Sequence, residues 1–283
     1  MQDTINMTRG CQFDYWRNAD HITLPGGAPA PLTWTNLADN LVQLSGAIPS
    51  MDGVSSRWQR AQQAEAAFWK GWRNNPIYSH TSLTDFWQDV VEKTGGPLAP
   101  GLTLDIGCGP VSVLNFTRHQ QMTPIGVDPL ADLYSQENLV ESAPTLEPIP
   151  MLAMTAERLP FADETFDQAV CFNVLDHVSN APRVLDEIRR VLKPGASLRV
   201  YVHTFAPFIK RLLFFDTPHV YHWDHNEFAS ILCDHGFRIC HQLKEPKTFD
   251  LPSGLIARLA HFPYWVATKV AFTSYFQIVK SAV

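Results

Sequence analysis

A glycine turn between a short apolar strand and a helix-like segment is the feature that most constrains the fold. The turn is Leu104-Asp105-Ile106-Gly107-Cys108-Gly109-Pro110, and the apolar run 101–104 leads into it. Because Gly107 and Gly109 have no Cβ atom, the backbone can turn sharply before the helix-like segment 111–119. A strand, a glycine turn and a helix are the opening of a nucleotide-binding α/β unit, whose ligand lies at the strand's carboxyl end.

Apolar strands alternate with helical segments downstream of this turn. Further strands are predicted at 123–127, 148–154, 165–172, 197–204 and 237–243, and helices at 130–139, 182–192 and 224–235. Asp224 is the predicted N-cap of the last helix, with Glu227 at the capping-box position. This alternation indicates a parallel sheet covered on both faces. A final antiparallel edge strand is expected at 275–279, after an inserted segment near 246–272, and 264–270 is the competing choice.

The N-terminal region has a different pattern. Residues 1–50 are interrupted by Pro and Gly, which predicts loop with one short helix near 37–44. Two aromatic helices follow at 55–72 and 82–93. They either pack on one face of the core or form a lid that excludes water from a site, and these roles are compatible. The expected organisation is a helical cap or lid over 1–95 and an α/β core over 96–283.

Composition limits the partners of this 283-residue chain. A net charge of -6 with no Lys/Arg run argues against nucleic acid held by phosphate contacts. Five scattered cysteines without a C-x-x-C pair suggest reduced thiols and a cytoplasmic location. We expect neither a signal peptide nor a membrane-spanning helix, since the apolar part after Leu251 is broken by charges and proline.

Two carboxylates narrow the identity of the ligand. Asp128 ends the second strand about 20 residues after Gly107, where an acidic side chain can accept hydrogen bonds from both ribose hydroxyls. Ser112 stands where a dinucleotide-binding turn has its third glycine. Asp105 would repel phosphates, but it can bind the ammonium of a methionyl group.

Five motifs together resemble the class I S-adenosylmethionine-dependent methyltransferases, in particular the small-molecule, methyltransferase type 11-like branch. In order, the motifs are 105–110, Gly126-Val127-Asp128, Ala156-Glu157-Arg158-Leu159-Pro160-Phe161, Thr165-Phe166-Asp167 and Val191-Leu192-Lys193-Pro194-Gly195. The match covers roughly 102–203. It implies a Rossmann-like, seven-stranded, mostly parallel sheet with helices on both faces, to which the N-terminal helical lid is added.

The resemblance also implies a set of residues that bind S-adenosylmethionine. Asp105 and the glycine backbone would hold the methionyl end, Asp128 the ribose, the residues after the third strand the adenine, and Asn173 would line the methionyl side. The full set is Asp105, Gly107, Cys108, Gly109, Asp128, Pro129, Ala156, Glu157 and Asn173.

Some positions depart from the family pattern or are expected to be structural. Thr155 replaces a frequent Asp, so a hydroxyl or the Glu157 side chain would have to contact the adenine amino group. Ala196 replaces the last glycine of the fifth motif without expected consequence. Cys108 is expected to be present for its size and to have no chemical role. Residues 159–161 are expected to pack beneath the adenine, and Asp167 to act as a cap or turn residue at the fourth strand.

Candidate acceptor-side residues follow the fourth and fifth strands. Asp176 and His177 follow the fourth strand, and His203 ends the fifth. Each could contact the acceptor or move a proton, which is needed only if the acceptor must lose one. The segment His219-Val220-Tyr221-His222-Trp223-Asp224-His225 has ligand-like spacing. We favour a loop into a capped helix there, with Asp224 as the cap and with Tyr221 and Trp223 forming a wall of the acceptor pocket, and no metal.

The predicted function is methyl transfer from S-adenosylmethionine to O, N or S of a small molecule, releasing S-adenosylhomocysteine. An RNA or protein methyltransferase is the main alternative. It is disfavoured by the acidic charge and by the sequence after the fourth strand. That sequence is Asn173-Val174-Leu175-Asp176, and it lacks the Asn/Asp-Pro-Pro-Tyr/Phe motif that would indicate attack on a planar amine. A non-catalytic binding protein and a nicotinamide-dependent oxidoreductase are weaker alternatives. The acceptor and the oligomeric state, a homodimer among the options, are left open.

Overall fold

The structure, a computed structural model, describes residues 33–38, 41–45, 56–72, 80–117, 119–137, 139, 149–159, 161–210, 213, 219–247 and 270–281. The strands in these ranges are β1 (Thr33–Ala38), β2 (Leu41–Ser45), β3 (Gly101–Ile106), β4 (Met122–Asp128), β5 (Met151–Ala153), β6 (Phe166–Phe172), β7 (Leu192–Phe205), β8 (Phe237–Pro246) and β9 (Ala271–Lys280). The helices are α1 (Ser56–Trp72), α2 (His80–Lys93), α3 (Leu114–Thr117), α4 (Ala131–Gln136), α5 (Ala181–Val191) and α6 (His225–Asp234).

These strands form one sheet in the order β1-β2-β5-β4-β3-β6-β7-β9-β8. Strands β3 to β9 are the predicted seven-stranded core, in which β5, β4, β3, β6 and β7 are parallel. β9 runs antiparallel to both β7 and β8, which confirms a final antiparallel strand at 275–279. The expected edge position is wrong, because β9 lies between β7 and β8 and β8 forms the edge of the sheet. The competing segment 264–270 lies outside the described residues except for Val270, and so does the expected insert 246–272 except for its ends.

Helices cover both faces of the sheet, as the alternating pattern predicts. Successive strand residues point to opposite faces, so neighbouring positions enter different apolar layers. Ile106 and Cys171 pack in one layer with residues of α5 and α6. Val170 and Phe172 pack in the other, with residues of α2, α3 and α4.

The expected short helix near 37–44 is wrong, because the chain forms β1 and β2 there. β2 pairs in parallel with β5 through Leu41↔Met151 and Val42↔Leu152, and β1 pairs antiparallel with β2. The open edge of β5 supplies hydrogen-bonding partners that lie far away in sequence. Strand propensity depends on such neighbours, which a short local pattern does not contain.

Two element boundaries also differ from the sequence prediction. The helix expected over 111–119 is reduced to α3, because the Ser112 hydroxyl accepts the Leu114 N–H at 3.1 Å and starts the helix late. β7 begins directly after α5, with Leu192 opposite Phe166 and Ser197 opposite Gln168, so the intervening residues bulge.

The remaining predicted motif residues have structural roles. The bulged Lys193 contacts Asp167 at 2.7 Å, and the Asp167 carboxylate accepts the Leu102 N–H at 2.8 Å. The Asp224 and Glu227 capping box of α6 is present, as expected. The segment 159–161 is tied to α5, whose Arg190 donates to the carbonyls of buried Leu159 and Phe161.

Candidate functional site

A cavity of about 800 Å³ lies at the carboxyl ends of β3, β4, β6 and β7. α1 and α2 contribute one wall of the cavity. All nine residues expected to bind the cofactor line it, and so do His177 and His203. Asp176 is not at the cavity surface but is buried next to His177. The predicted residues, separated by up to about a hundred positions in sequence, are thus gathered around a single space.

The glycine turn is held in a left-handed backbone conformation. Gly107 has φ +66° and Gly109 has φ +62°, values that L side chains disfavour. A Cβ atom on Gly107 would lie 2.3 Å from Val174 Cγ2, and one on Gly109 would lie 3.4 Å from Trp69 Cζ2. The turn is also tied to β4, since the amides of Gly107 and Cys108 donate to the Val127 carbonyl at 2.8 and 3.2 Å. Gly107 is therefore required both by its backbone conformation and by the close approach of Val174, whereas Gly109 is favoured by its backbone conformation alone.

Cys108 fills space at the base of this turn. Its side chain is buried, and a Cβ atom on Gly126 would lie 2.6 Å from its Sγ. Burial, followed by the nearby Asp128 and Asp105 charges, raises the pKa of the thiol well above its usual value. A buried, protonated thiol is a poor nucleophile, in agreement with the expected role of Cys108 as a residue chosen for size.

Asp128 is oriented by three donors. Its Oδ2 accepts the Gly109 N–H at 3.0 Å, and its Oδ1 accepts the Leu130 N–H at 2.8 Å and the Tyr134 hydroxyl at 3.1 Å. Burial raises the pKa of Asp128 to about 6, although these hydrogen bonds lower it. Since two carboxylate oxygens offer about four acceptor sites, the oriented group keeps capacity for a ligand hydroxyl.

Asp105 lies at the end of β3 and is also buried. Its carboxylate accepts a hydrogen bond from the Ser112 hydroxyl, the same group that caps α3. Burial, opposed by the Ser112 hydrogen bond and reinforced by the nearby Asp128 charge, raises the pKa of Asp105 to about 7. Two buried carboxylates in one cavity favour a cationic ligand.

The segment after β5 forms the next part of the wall. Thr155, Ala156 and Glu157 line the cavity, but Glu157 Oε1 accepts the Ser179 N–H at 2.8 Å and the Asn180 N–H at 3.1 Å. The Glu157 side chain thus fixes the loop before α5. The Thr155 hydroxyl and the Glu157 side chain are the two groups considered for contact with the adenine amino group. Of these two, only Glu157 is occupied by the hydrogen bonds to Ser179 and Asn180.

Asn173 follows β6 in a left-handed conformation with φ +58°. Its N–H donates to the Tyr201 carbonyl at 2.9 Å, which joins it to β7. Its side-chain oxygen Oδ1 is buried and has no hydrogen-bond partner among the described residues. A buried polar atom of this kind is costly unless a ligand satisfies it, so Asn173 fits a ligand-binding position on the cavity floor.

Asp176 and His177 meet a histidine from the segment 219–225. His177 Nε2 and His219 Nε2 each lie 3.8 Å from one oxygen of the Asp176 carboxylate. Glu65, on α1, lies 3.2 Å from His177 Nδ1. The His203 and His219 ring centroids are 6.3 Å apart, so His203 borders the same group.

The other two histidines of that segment do not join this group. His225 Nδ1 contacts the Ser274 hydroxyl at 2.9 Å, and its ring stacks on Phe276. His222 packs against Phe205, and its ring centroid lies 6.2 Å from that of His219, but none of its atoms belongs to the cluster of Asp176, His177 and His219. Of the three regularly spaced histidines, only His219 lies in the group with Asp176 and His177. The spacing alone therefore did not indicate which histidine joins the group.

Aromatic side chains form the remaining walls. Tyr221 and Trp223 were expected to form one of these walls, but they do not line the cavity and pack in the apolar layer of α5 and α6 instead. Trp69 contacts Tyr134 edge-on, with ring centroids 6.0 Å apart, above the glycine turn. Trp87 stacks on Phe172, the last residue of β6, with centroids 6.1 Å apart. Phe68 and Phe86 also line the cavity and are about half exposed. The apolar walls favour a ligand with a flat or apolar part.

The sequence pattern had not identified Glu65, Trp69, Tyr134 and His219 as site residues. Glu65 and Trp69 lie on the aromatic helix already suspected of covering a site. Tyr134 lies in α4, six residues after Asp128. From there its side chain points back to the end of β4, where its hydroxyl donates to Asp128. His219 reaches the site because the Asp176 carbonyl accepts the N–H groups of Val220 and Tyr221 at 2.6 and 3.2 Å.

Comparison with known proteins identifies the core. Residues 104–200 match the family described as "Methyltransferase domain". An uncharacterised protein of Methanocaldococcus jannaschii is 36% identical over 115 residues, which are 41% of this chain and 46% of that protein. The ubiquinone/menaquinone biosynthesis C-methyltransferase of Desulfotalea psychrophila is 34% identical over 110 residues, 38% of this chain and 42% of the enzyme. The chain spans about half or less of the length of the curated relatives it matches.

Solved structures share the fold at low sequence identity. The [4+2]-cyclase SpnF has a TM-score of 0.60 at 18% identity, covering 83% of this chain and 99% of that protein. Phosphoethanolamine N-methyltransferase 2 of Haemonchus contortus, in complex with S-adenosyl-L-methionine, has a TM-score of 0.56 at 14% identity. The match covers 81% of this chain and 61% of that protein. At such identities the likeness concerns the fold. Among the described residues, no helix has the length and apolar character needed to cross a bilayer.

Proposed function

We propose that this chain, which belongs to the class I S-adenosylmethionine-dependent methyltransferases through its 104–200 core, methylates a small-molecule acceptor and releases S-adenosylhomocysteine. The observation that carries the proposal is the pair of buried carboxylates, Asp105 and Asp128, held on either side of the glycine turn. The bound cofactor supplies a methyl group on a positively charged sulfur. Asp105 and Asn173 would hold its methionyl end, Asp128 its ribose, and the segment 155–157 its adenine.

The chain's part in the chemistry is alignment, exclusion of water and proton removal. α1 and α2 act as the lid that we assign to the region 1–95, because Trp69 and Trp87 close the cavity above the two ends of the site. His203 is the group we assign to accept the acceptor's proton as the new bond to the methyl carbon forms and the carbon–sulfur bond breaks. His177 positions the acceptor beside it, with the buried Asp176 behind His177.

The acceptor is proposed to be a flat, largely apolar molecule with a nucleophilic oxygen. The aromatic wall of Trp87, Phe172 and Tyr201 supports this class, since their rings follow one another at centroid distances near 6 Å. The similarity to enzymes named for ubiquinone and menaquinone biosynthesis supports the flat, apolar class, and one of them, named an O-methyltransferase, supports the oxygen. The net charge of -6 favours such a molecule over RNA.

Two measurements test the proposal. Calorimetry with S-adenosylhomocysteine should give saturable binding, and absence of binding would overturn the function altogether. Incubation with S-adenosylmethionine labelled in its methyl group and with cell extract should then transfer the label to small molecules, as seen by mass spectrometry. Label recovered in RNA or protein would replace the proposed acceptor class with the alternative one.

A further inference from the structure

Three potential ligand atoms converge beside the cavity. Asp176, His177 and His219 each offer one potential ligand atom, a carboxylate oxygen or a ring nitrogen, and these three atoms lie within 4.8 Å of one another. His177 and His219 line the cavity, whereas Asp176 lies behind them. Two imidazoles and one carboxylate are a donor set that binds divalent transition metals, and three protein ligands leave positions open for other ligands.

The burial of Asp176 points to a missing partner. Its side chain is only 1% exposed, and neither carboxylate oxygen has a hydrogen bond among the described residues. The two imidazole nitrogens, at 3.8 Å, are beyond hydrogen-bond distance. Burying a carboxylate without hydrogen bonds or a closely paired charge is strongly destabilising. A cation between the three groups would remove this cost.

Backbone contacts hold the three residues in place. The Asp176 carbonyl accepts the Val220 and Tyr221 N–H groups, which fixes the segment carrying His219 beside Asp176. Arg57 on α1 donates to the His219 carbonyl at 3.0 Å. The ligands therefore need little rearrangement, which is how protein metal sites gain affinity.

Glu65 occupies the position of an outer carboxylate. It lies 3.2 Å from His177 Nδ1, the ring nitrogen that does not face Asp176. A carboxylate at one ring nitrogen favours a proton there and leaves the lone pair of the other nitrogen available for a metal. This contact is independent of the three-residue cluster and points to the same arrangement.

We propose that Asp176, His177 and His219 bind one divalent transition-metal ion, with an open coordination position facing the acceptor end of the cavity. A metal there would hold an oxygen of the acceptor near His203. This use of the ion rests on the proposed methyl transfer, whereas binding of the ion does not. The spacing of histidines in 219–225 does not support the site, since only His219 takes part.

The test uses the full chain after dialysis against a chelator, with Co²⁺ followed by its visible absorption and Zn²⁺ followed by calorimetry. One ion should bind per chain, and the visible bands should indicate four or five ligands including nitrogen. His219→Ala and Asp176→Asn should weaken Zn²⁺ binding by about 100-fold, and Glu65→Gln by about tenfold. His222→Ala, the matched control in the same segment, should change it less than twofold.

Circular dichroism and S-adenosylhomocysteine affinity serve as checks of folding for each variant. Absence of Zn²⁺ and Co²⁺ binding to a chain that binds S-adenosylhomocysteine would overturn the metal site and leave the proposed function standing. Zn²⁺ binding that survives His219→Ala would also overturn the site. Metal binding without S-adenosylhomocysteine binding would instead remove the proposed function and leave the site.

Discussion

The two ends of the cavity are built differently. At the donor end, Asp128 accepts three hydrogen bonds, and the glycine turn is tied to β4 by backbone amides. At the acceptor end, both oxygens of the buried Asp176 carboxylate have no hydrogen-bond partner in the described ranges. The donor-end carboxylate of Asp128 thus has its partners within the protein, whereas Asp176 has oxygens that a ligand must satisfy.

This difference follows from where the residues come from. Asp105, the glycines and Asp128 lie at the ends of two adjacent strands, so sheet pairing alone brings them together. Glu65, Asp176 and His219 come from a helix, a turn and a loop, and tertiary contacts must align them. We therefore expect substitutions at the donor end to affect S-adenosylhomocysteine affinity strongly, and those at the acceptor end to leave it nearly unchanged.

The largest effect is expected for Gly107→Ala. The new methyl group would collide with Val174, and the left-handed backbone adds about 1–2 kcal/mol of strain. Overpacking of this kind costs a further 1–3 kcal/mol or so. Calorimetry should show S-adenosylhomocysteine affinity lowered by about 100-fold or more, which is close to 3 kcal/mol.

The matched control for this variant is Gly195→Ala. Gly195 has φ +75°, but a Cβ atom there meets nothing within 4 Å. The Gly195→Ala variant should lose about 1–2 kcal/mol of stability from backbone strain alone and keep its affinity for S-adenosylhomocysteine. Equal affinity losses in the two variants would contradict the close approach assigned to Gly107.

Asp128→Asn is expected to lower the affinity by about 10- to 100-fold, in line with about 1.5–3 kcal/mol for hydrogen bonds to a charged group. The amide also places a donor where the protein already supplies N–H and O–H donors. Tyr134→Phe, which removes one of the three donors, should have a smaller effect. Calorimetry at pH 8 makes the comparison, and an unchanged affinity for Asp128→Asn would remove the ribose assignment.

The pH dependence of binding distinguishes the two ends further. Burial raises the pKa of Asp105 to about 7, so in the free protein this carboxyl takes up a proton as the pH falls below 7. Because the ligand ammonium requires the ionised form, affinity should fall by about tenfold from pH 8 to pH 6, at up to a factor of ten per unit. Ser112→Ala removes a hydrogen bond that lowers this pKa. It should therefore move the fall to higher pH, and a flat profile in the parent protein would contradict the Asp105 contact.

The smallest expected effect is that of Trp69→Leu, which opens the wall over Gly109. S-adenosylhomocysteine should dissociate about five times faster in stopped-flow measurements, corresponding to about 1 kcal/mol. Phe86→Leu, at the half-exposed mouth near Trp87, should leave this rate unchanged. An equal acceleration in both variants would show that the lid acts as one unit, and would weaken the distinction between the two ends.

Sequence patterns predicted the parts of the molecule that depend on local chemistry. The strands β3, β4, β6, β8 and β9 and the helices α1, α2, α5 and α6 agree with the predicted elements within a few residues at most ends. Their apolar periods are long enough to be recognised without neighbours. β1 and β2 were missed because the edge of β5, not their own sequence, supplies their partners. α3 was overestimated because one side-chain cap, Ser112, decides where it starts.

The sequence by itself determined the donor end, because a glycine turn and two strand-end carboxylates have fixed spacings along the chain and sheet pairing leaves little freedom. Only the tertiary structure brought Glu65 to His177 and His219 to Asp176, since no local pattern encodes contacts made over 100 and 40 or so residues of chain. It also left His222 and His225 outside the cluster, although their spacing is the same. The physical reason is that a loop's side chains are directed by what its backbone hydrogen-bonds to, and here that partner is the carbonyl of Asp176.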